Sequence, residues 1–130
     1  MTQKAKILIA EDELSFAEVL SAYFNEKGYE VSLAVSGERC LELVREVKPH
    51  VLLLDLRFEM GFITGEEIIE QIQRLDSSLQ IIVMTGYNAP ETEQKIRKLG
   101  IFDFLRKPVA LGELSQKVAE AVKKRPPLQP

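Results

Sequence analysis

The chain has a single cysteine, Cys40, so no disulfide can form within it. It has a single histidine, His50, and no CxxC pair, which argues against a structural zinc site. Tryptophan is absent, and no apolar run approaches the roughly 20 residues that a membrane-spanning helix needs. Residues 1–4 lack the apolar core of a secretory signal. Charge of one sign is also missing: 17 basic residues against 20 acidic ones leave a net charge of −3, and no long basic stretch marks a nucleic-acid face. The short basic cluster Lys123-Lys124-Arg125 falls at the end of the last predicted helix, where cations complement the helix dipole. These absences predict a cytoplasmic protein that touches neither membrane nor nucleic acid directly.

What is present suits one globular domain. The 130 residues are 45% hydrophobic and 28% charged, enough to close one core. Short apolar runs alternate with amphipathic stretches five times. Strands are predicted over 6–10, 29–35, 51–54, 80–84 and 101–105, the third being the most apolar and so placed centrally. The first helix spans 14–27 on Phe16, Val19, Leu20, Tyr23 and Phe24, and Gly28 stops it. Ser36 is a candidate N-cap for a helix carrying Cys40, Leu41, Val44 and Val47, which Pro49 keeps from extending. Thr64 and Glu67 form a T-x-x-E capping box ahead of Ile68, Ile69, Ile72 and Leu75. Pro90 opens a fourth helix that Gly100 stops. The fifth runs from about 111 to 124 on Leu114, Val118, Ala119 and Val122. The proline-rich stretch 126–130 reads as a linker stub or frayed tail after a domain spanning 1–125.

Alternating strands and helices predict an α/β fold: a single doubly wound, five-stranded parallel sheet, order 2-1-3-4-5, with five helices on its two faces. Ligands of such sheets bind beyond the carboxyl ends of the strands, where the order reverses. The residues there are Glu11-Asp12-Glu13 after the first strand, Asp55 at the third, Thr85 after the fourth and Lys107-Pro108 after the fifth. Clustered carboxylates repel one another, and a hard divalent cation with oxygen ligands relieves that repulsion, which makes Mg²⁺ the expected cofactor. An aspartate beside such an ion can accept a phosphoryl group, with Lys107 supplying positive charge and Thr85 a hydroxyl donor. Taken singly, each element has a plainer reading: helix-start acids, a strand-end threonine, an ordinary Lys-Pro turn. Their joint placement is what is specific.

On these residues the chain resembles the receiver domains of two-component response regulators, over nearly its whole length. The motifs stand as Ile7-Leu8-Ile9-Ala10-Glu11-Asp12, Val51-Leu52-Leu53-Leu54-Asp55, Ile81-Ile82-Val83-Met84-Thr85-Gly86 and Phe104-Leu105-Arg106-Lys107-Pro108. The resemblance implies a phosphorylation-dependent switch rather than an enzyme acting on others. Asp55 would take a phosphoryl group from a histidine kinase or phosphotransfer protein. Asp12, Asp55 and the backbone carbonyl of Arg57 would hold Mg²⁺, with Glu11 acting through water. Thr85, Gly86 and Lys107 would meet the phosphoryl group, and Lys107–Pro108 would be cis. Thr85 would then move, Phe104 would rotate inward, and the face made by the fourth helix, fifth strand and fifth helix would recruit an output domain, a partner or a second copy of the chain. Lys95, Ile96, Arg97 and Lys98 lie on or near that face.

The sequence departs from the family pattern in several places. The acidic pair is Glu-Asp where Asp-Asp is commoner, which should move one carboxylate outward. By the resemblance, Arg57 and Tyr87 would flank the phosphoryl position, where side chains admit or block attacking water, and would modulate its lifetime. Phe104 stands where a tyrosine is frequent, so no ring hydroxyl can carry the signal. The stretch 57–65 is longer than usual, and its Phe58, Met60 and Phe62 are expected to pack down. A receiver fold used only for docking, a flavodoxin-like cofactor protein and a phosphoaspartate hydrolase are the alternatives. The four intact motif residues oppose the first. Glu11-Asp12-Glu13 in place of a phosphate loop opposes the second. Arg57, where a second acid is needed, opposes the third.

Overall fold

The computed structural model describes residues 4–56, 65–86 and 90–124. The chain order is β1 (Lys6–Ala10), α1 (Leu14–Glu26), β2 (Glu30–Ala34), α2 (Gly37–Val47), β3 (Val51–Asp55), α3 (Gly65–Leu75), β4 (Gln80–Thr85), α4 (Pro90–Arg97), β5 (Asp103–Arg106) and α5 (Leu111–Lys124). The five strands form one parallel sheet in the expected order β2-β1-β3-β4-β5, the common one for a five-stranded doubly wound sheet. Strand β3 is buried throughout, which is why its sequence is a continuous apolar run up to Asp55.

The period-two alternation of the strands divides the core into two layers. Leu8, Leu52, Leu54, Val83 and Phe104 point to the face covered by α2, α3 and α4, and meet Cys40, Ile68, Ile72 and Ile96 there. Ile7, Ile9, Leu53, Met84 and Leu105 point to the other face and meet Leu20 and Phe24 of α1 and Leu114, Val118 and Ala121 of α5. Cys40 is fully buried, and burial pushes its thiol pKa up to about 12, so it is a packing residue with no thiolate chemistry near neutral pH.

Local signals set most element ends. Ser36 is the N-cap of α2, and its hydroxyl accepts from the Arg39 backbone N–H at 3.1 Å. Gly28 (φ 99°) and Gly100 (φ 85°) take left-handed conformations after α1 and α4. Helix α2 instead stops on Lys48, a non-glycine residue at φ 54°, immediately before Pro49. Single-residue expectations differ in a few places. Val19 is 52% exposed and Leu75 41% exposed, because each lies at the margin of its helix's apolar stripe. In α5 the inward alanine is Ala121 and Ala119 faces solvent, since the stripe that starts at Leu114 and Val118 continues at Ala121. Strand β5 begins at Asp103, because the ladder with β4 opens at the Ile82–Asp103 pair; Ile101 and Phe102 precede it as an approach segment. Thr64 of the capping box, residues 57–63 and the tail 125–130 lie outside the described residues.

Candidate functional site

Each candidate side chain is delivered by the end of a strand. Glu11 and Asp12 follow β1, Asp55 is the last residue of β3, Thr85 the last of β4, and Lys107 comes directly after β5. Because the strands are parallel and in register, these positions, up to 96 residues apart in sequence, arrive at one edge of the sheet.

Lys107 ties that edge together. Its backbone N–H donates to the Thr85 carbonyl at 2.8 Å. Its ammonium Nζ donates to Glu11 Oε1 at 2.7 Å and to Asp55 Oδ2 at 3.2 Å. The ammonium also stands 4.8 Å from the centre of the Phe16 ring, a cation–π contact that the helical periodicity of α1 did not single out. The Lys107–Pro108 peptide is cis. Gly86, exposed beside the lysine, could carry a Cβ 4.0 Å from that of Lys107. An open groove of about 400 Å³ adjoins the lysine, lined by Glu13, Phe16, Lys107, Pro108 and Val109.

Glu11, Asp12 and Asp55 can each offer a carboxylate oxygen to a common point, with those atoms within 4.8 Å of one another. The expectation for the acidic pair is reversed here. The side chain of Glu11 is wholly buried, and it is Asp12 that faces solvent. The longer glutamate reaches back to Lys107, which draws it inward. Burial, then a hydrogen bond and the charge of Asp55, push the Glu11 pKa from 4.5 up to about 7 against the opposing pull of Lys107. For Lys107, burial disfavours the charge, but Glu11 and Asp55 outweigh it and hold its pKa above the ordinary value. Glu11 Oε2 is buried, and no donor among the described residues reaches it. A buried oxygen of this kind is costly unless something occupies its lone pairs, and all the ligand atoms on offer are oxygens. The donor set therefore fits a hard divalent cation such as Mg²⁺.

Thr85 is fully buried and Phe104 is 6% exposed, its ring inside the layer beneath α2, α3 and α4. Arg97 lies over that ring. Of the residues expected on the responding face, Lys95, Arg97 and Lys98 are exposed, whereas Ile96 is a core residue at 1% exposure; it alone of the four falls on the inner stripe of α4. Arg57 and Tyr87 lie outside the described residues. Two residues not singled out from sequence, Glu93 and Arg106, belong to the same region: they form an ion pair at 3.1 Å, and Glu93 also pairs with Arg97 at 2.9 Å. The four-residue spacing of Glu93 and Arg97 was the one available signal.

A family model described as "Response regulator receiver domain" matches residues 7–119. Sporulation initiation phosphotransferase F of Bacillus subtilis is 31% identical over 124 residues, 95% of either chain. Transcriptional regulatory protein ZraR of Klebsiella oxytoca is 32% identical over 120 residues, covering 92% of this chain but 27% of that one. This chain thus spans about a quarter of the ZraR length. Among solved structures, a response regulator receiver domain protein (CheY-like) from Methanospirillum hungatei superposes with a TM-score of 0.86 at 23% identity, over 94% of this chain and 97% of that chain. The N-terminal domain of a response regulator/sensory box/GGDEF 3-domain protein from Carboxydothermus hydrogenoformans gives a TM-score of 0.79 at 28% identity, over 91% and 94%.

Proposed function

The chain belongs to the receiver-domain family of response regulators, and from that premise we propose that Asp55 accepts a phosphoryl group and that the domain switches an output domain or partner in response. The observation that carries this reading is the position of Asp55. It is a buried carboxylate at the end of the central strand, 3.2 Å from the ammonium of Lys107 and grouped with Glu11 and Asp12.

In the proposed reaction a carboxylate oxygen of Asp55 attacks the phosphorus of a phosphohistidine on a kinase or phosphotransfer protein. A P–O bond forms as the P–N bond breaks, and the imidazole leaves with the bonding pair and takes up a proton. Asp12 and Asp55, with Glu11 and the Arg57 carbonyl, would hold Mg²⁺. When bound, the ion supplies positive charge to the phosphoryl oxygens. Lys107 shares its ammonium between Glu11 and Asp55, and can turn it to the incoming phosphoryl group without leaving the site. The hydroxyl of Thr85 donates to a phosphoryl oxygen, and the strand-end backbone moves with it. The domain is then a signalling protein whose chemistry is confined to gaining and losing its own phosphoryl group. A cytoplasmic location, the domain boundary near residue 125 and self-association through the α4–β5–α5 face belong to the same proposal. No helix among the described residues is long and apolar enough to cross a membrane.

Intact-mass spectrometry after incubation with acetyl phosphate and Mg²⁺ tests the reading. Wild type should gain one phosphoryl mass and Asp55→Asn none. No gain in the wild type, together with no Mg²⁺ binding, would overturn the acceptor role and leave a docking module.

A further inference from the structure

Beyond the acceptor site, and apart from the pairs that Arg39 makes within α2, the charged side chains of the described residues converge between α4 and β5. Helix α4 buries only Ile96 of its eight residues, so apolar packing does little to hold it. Ion pairs connect it to β5, from Arg97 to Asp103 and from Glu93 to Arg106, and Glu93 has a second pair within the helix. One carboxylate oxygen, Oε2, accepts from Arg97 Nε at 2.9 Å, and the other, Oε1, accepts from Arg106 Nη2 at 3.1 Å.

The two arginines lead to different parts of the switch. Arg106 is the sheet partner of Thr85 and directly precedes Lys107. Arg97 lies over the Phe104 ring, with its guanidinium carbon 5.6 Å from the ring centre, and its Nη2 donates to the Phe104 carbonyl at 3.2 Å. Its Nη1 meets Asp103 Oδ1 at 3.4 Å, so each nitrogen of the fork has an acceptor while the planar face covers the ring. Exposed ion pairs contribute little to stability one by one. The value of this arrangement is geometric: Oε1 of Glu93 reaches across to Arg106 of β5, while Oε2 holds Arg97 of its own helix, whose guanidinium in turn meets Phe104 and Asp103 of β5.

We propose that Glu93 is a clasp coupling helix α4 to the switch: by holding Arg106 and Arg97 at once, it makes α4 follow displacement of the sheet segment that carries Thr85 and Phe104. The inference rests on the reading of Asp55 as phosphoacceptor and names the positioning residue through which the change reaches the α4–β5–α5 face. Glutamate suits the task because both its oxygens accept. Glutamine offers a single acceptor oxygen, and its amide N–H groups would face a guanidinium that can only donate.

The test is backbone-amide NMR on wild type and Glu93→Gln, with and without Mg²⁺ and beryllium fluoride, a tetrahedral phosphoryl mimic. The shifts at Thr85 and Lys107 should be of similar size in both proteins. Those of residues 91–97 should fall below about half the wild-type value in the variant, because coupling within a network is lost with one member. Arg106→Met, which cuts one arm and leaves Arg97 over Phe104, should behave alike. Both substitutions lie at the surface, and thermal melting checks that the fold is kept. Undiminished α4 shifts in both variants would overturn the clasp. Absence of shifts at Thr85 and Lys107 in the wild type would instead overturn the phosphoacceptor reading and remove the signal the clasp transmits.

Discussion

At the scale of single residues, Glu11 is caught between two demands: its buried carboxyl is easier to keep protonated, yet Lys107 and any metal ion want it ionised. With its pKa raised from 4.5 to about 7, the folded chain holds a proton across that window which the unfolded chain has already released. Folding stability from this group therefore falls as pH rises from 4.5 to 7 in metal-free protein, and is level beyond. A cation must displace the same proton. Calorimetric titration should show Mg²⁺ affinity weakening by about tenfold from about pH 8 to about pH 6. Glu11→Gln should flatten that dependence, and an equally steep one in the variant would show that the proton is held elsewhere. This residue also marks a limit of sequence reading. Asp55 and Thr85 were legible because a polar residue that closes an apolar strand must sit at the sheet edge. The inward turn of Glu11 was not, because its rotamer is decided by a lysine 96 residues away.

At the scale of elements, α2 and α4 show opposite ways of being held. Helix α2 has a capped start and buries Cys40, Leu43 and Val44. Ser36→Ala should cost about 1 kcal/mol, read as a lower urea midpoint with an unchanged slope, because one N-terminal N–H loses its partner. Helix α4 has one buried residue and a ring of charges. Its amides should exchange with solvent deuterium faster than those of α1 and α5, and protection equal to theirs would contradict an ion-held helix. Helix periodicity gave the first helix, the third and the fifth to within a few residues. It missed the inward alanine of α5, since Ala119 and Ala121 differ only in where they fall around the helix, and it missed the tie between α4 and β5, since no helical spacing links Glu93 to Arg106 in another element.

At the scale of the whole molecule, the two-layered core is organised about β3; the alternation of elements pointed to a doubly wound parallel sheet, and its order is the common one for five strands. Leu53 is fully buried within one of those layers. Leu53→Ala should therefore cost about 2–5 kcal/mol, a large share of the roughly 5–15 kcal/mol that a domain of this kind has. Denaturant unfolding measures it, and a loss under about 1 kcal/mol would mean that the layer collapses around the void.

The site is finished by Lys107, which joins β4 through its backbone and the β1 and β3 ends through its side chain. Asp55 lies 52 residues earlier. A chain growing from its N-terminus thus exposes the proposed acceptor aspartate long before the lysine that pairs with it exists, and β5, a four-residue edge strand, must dock before the two can meet. On the proposed reading of Asp55, competence to receive a signal would in this way be withheld until the last strand is in place, and the ability to be phosphorylated would double as a certificate of completed folding.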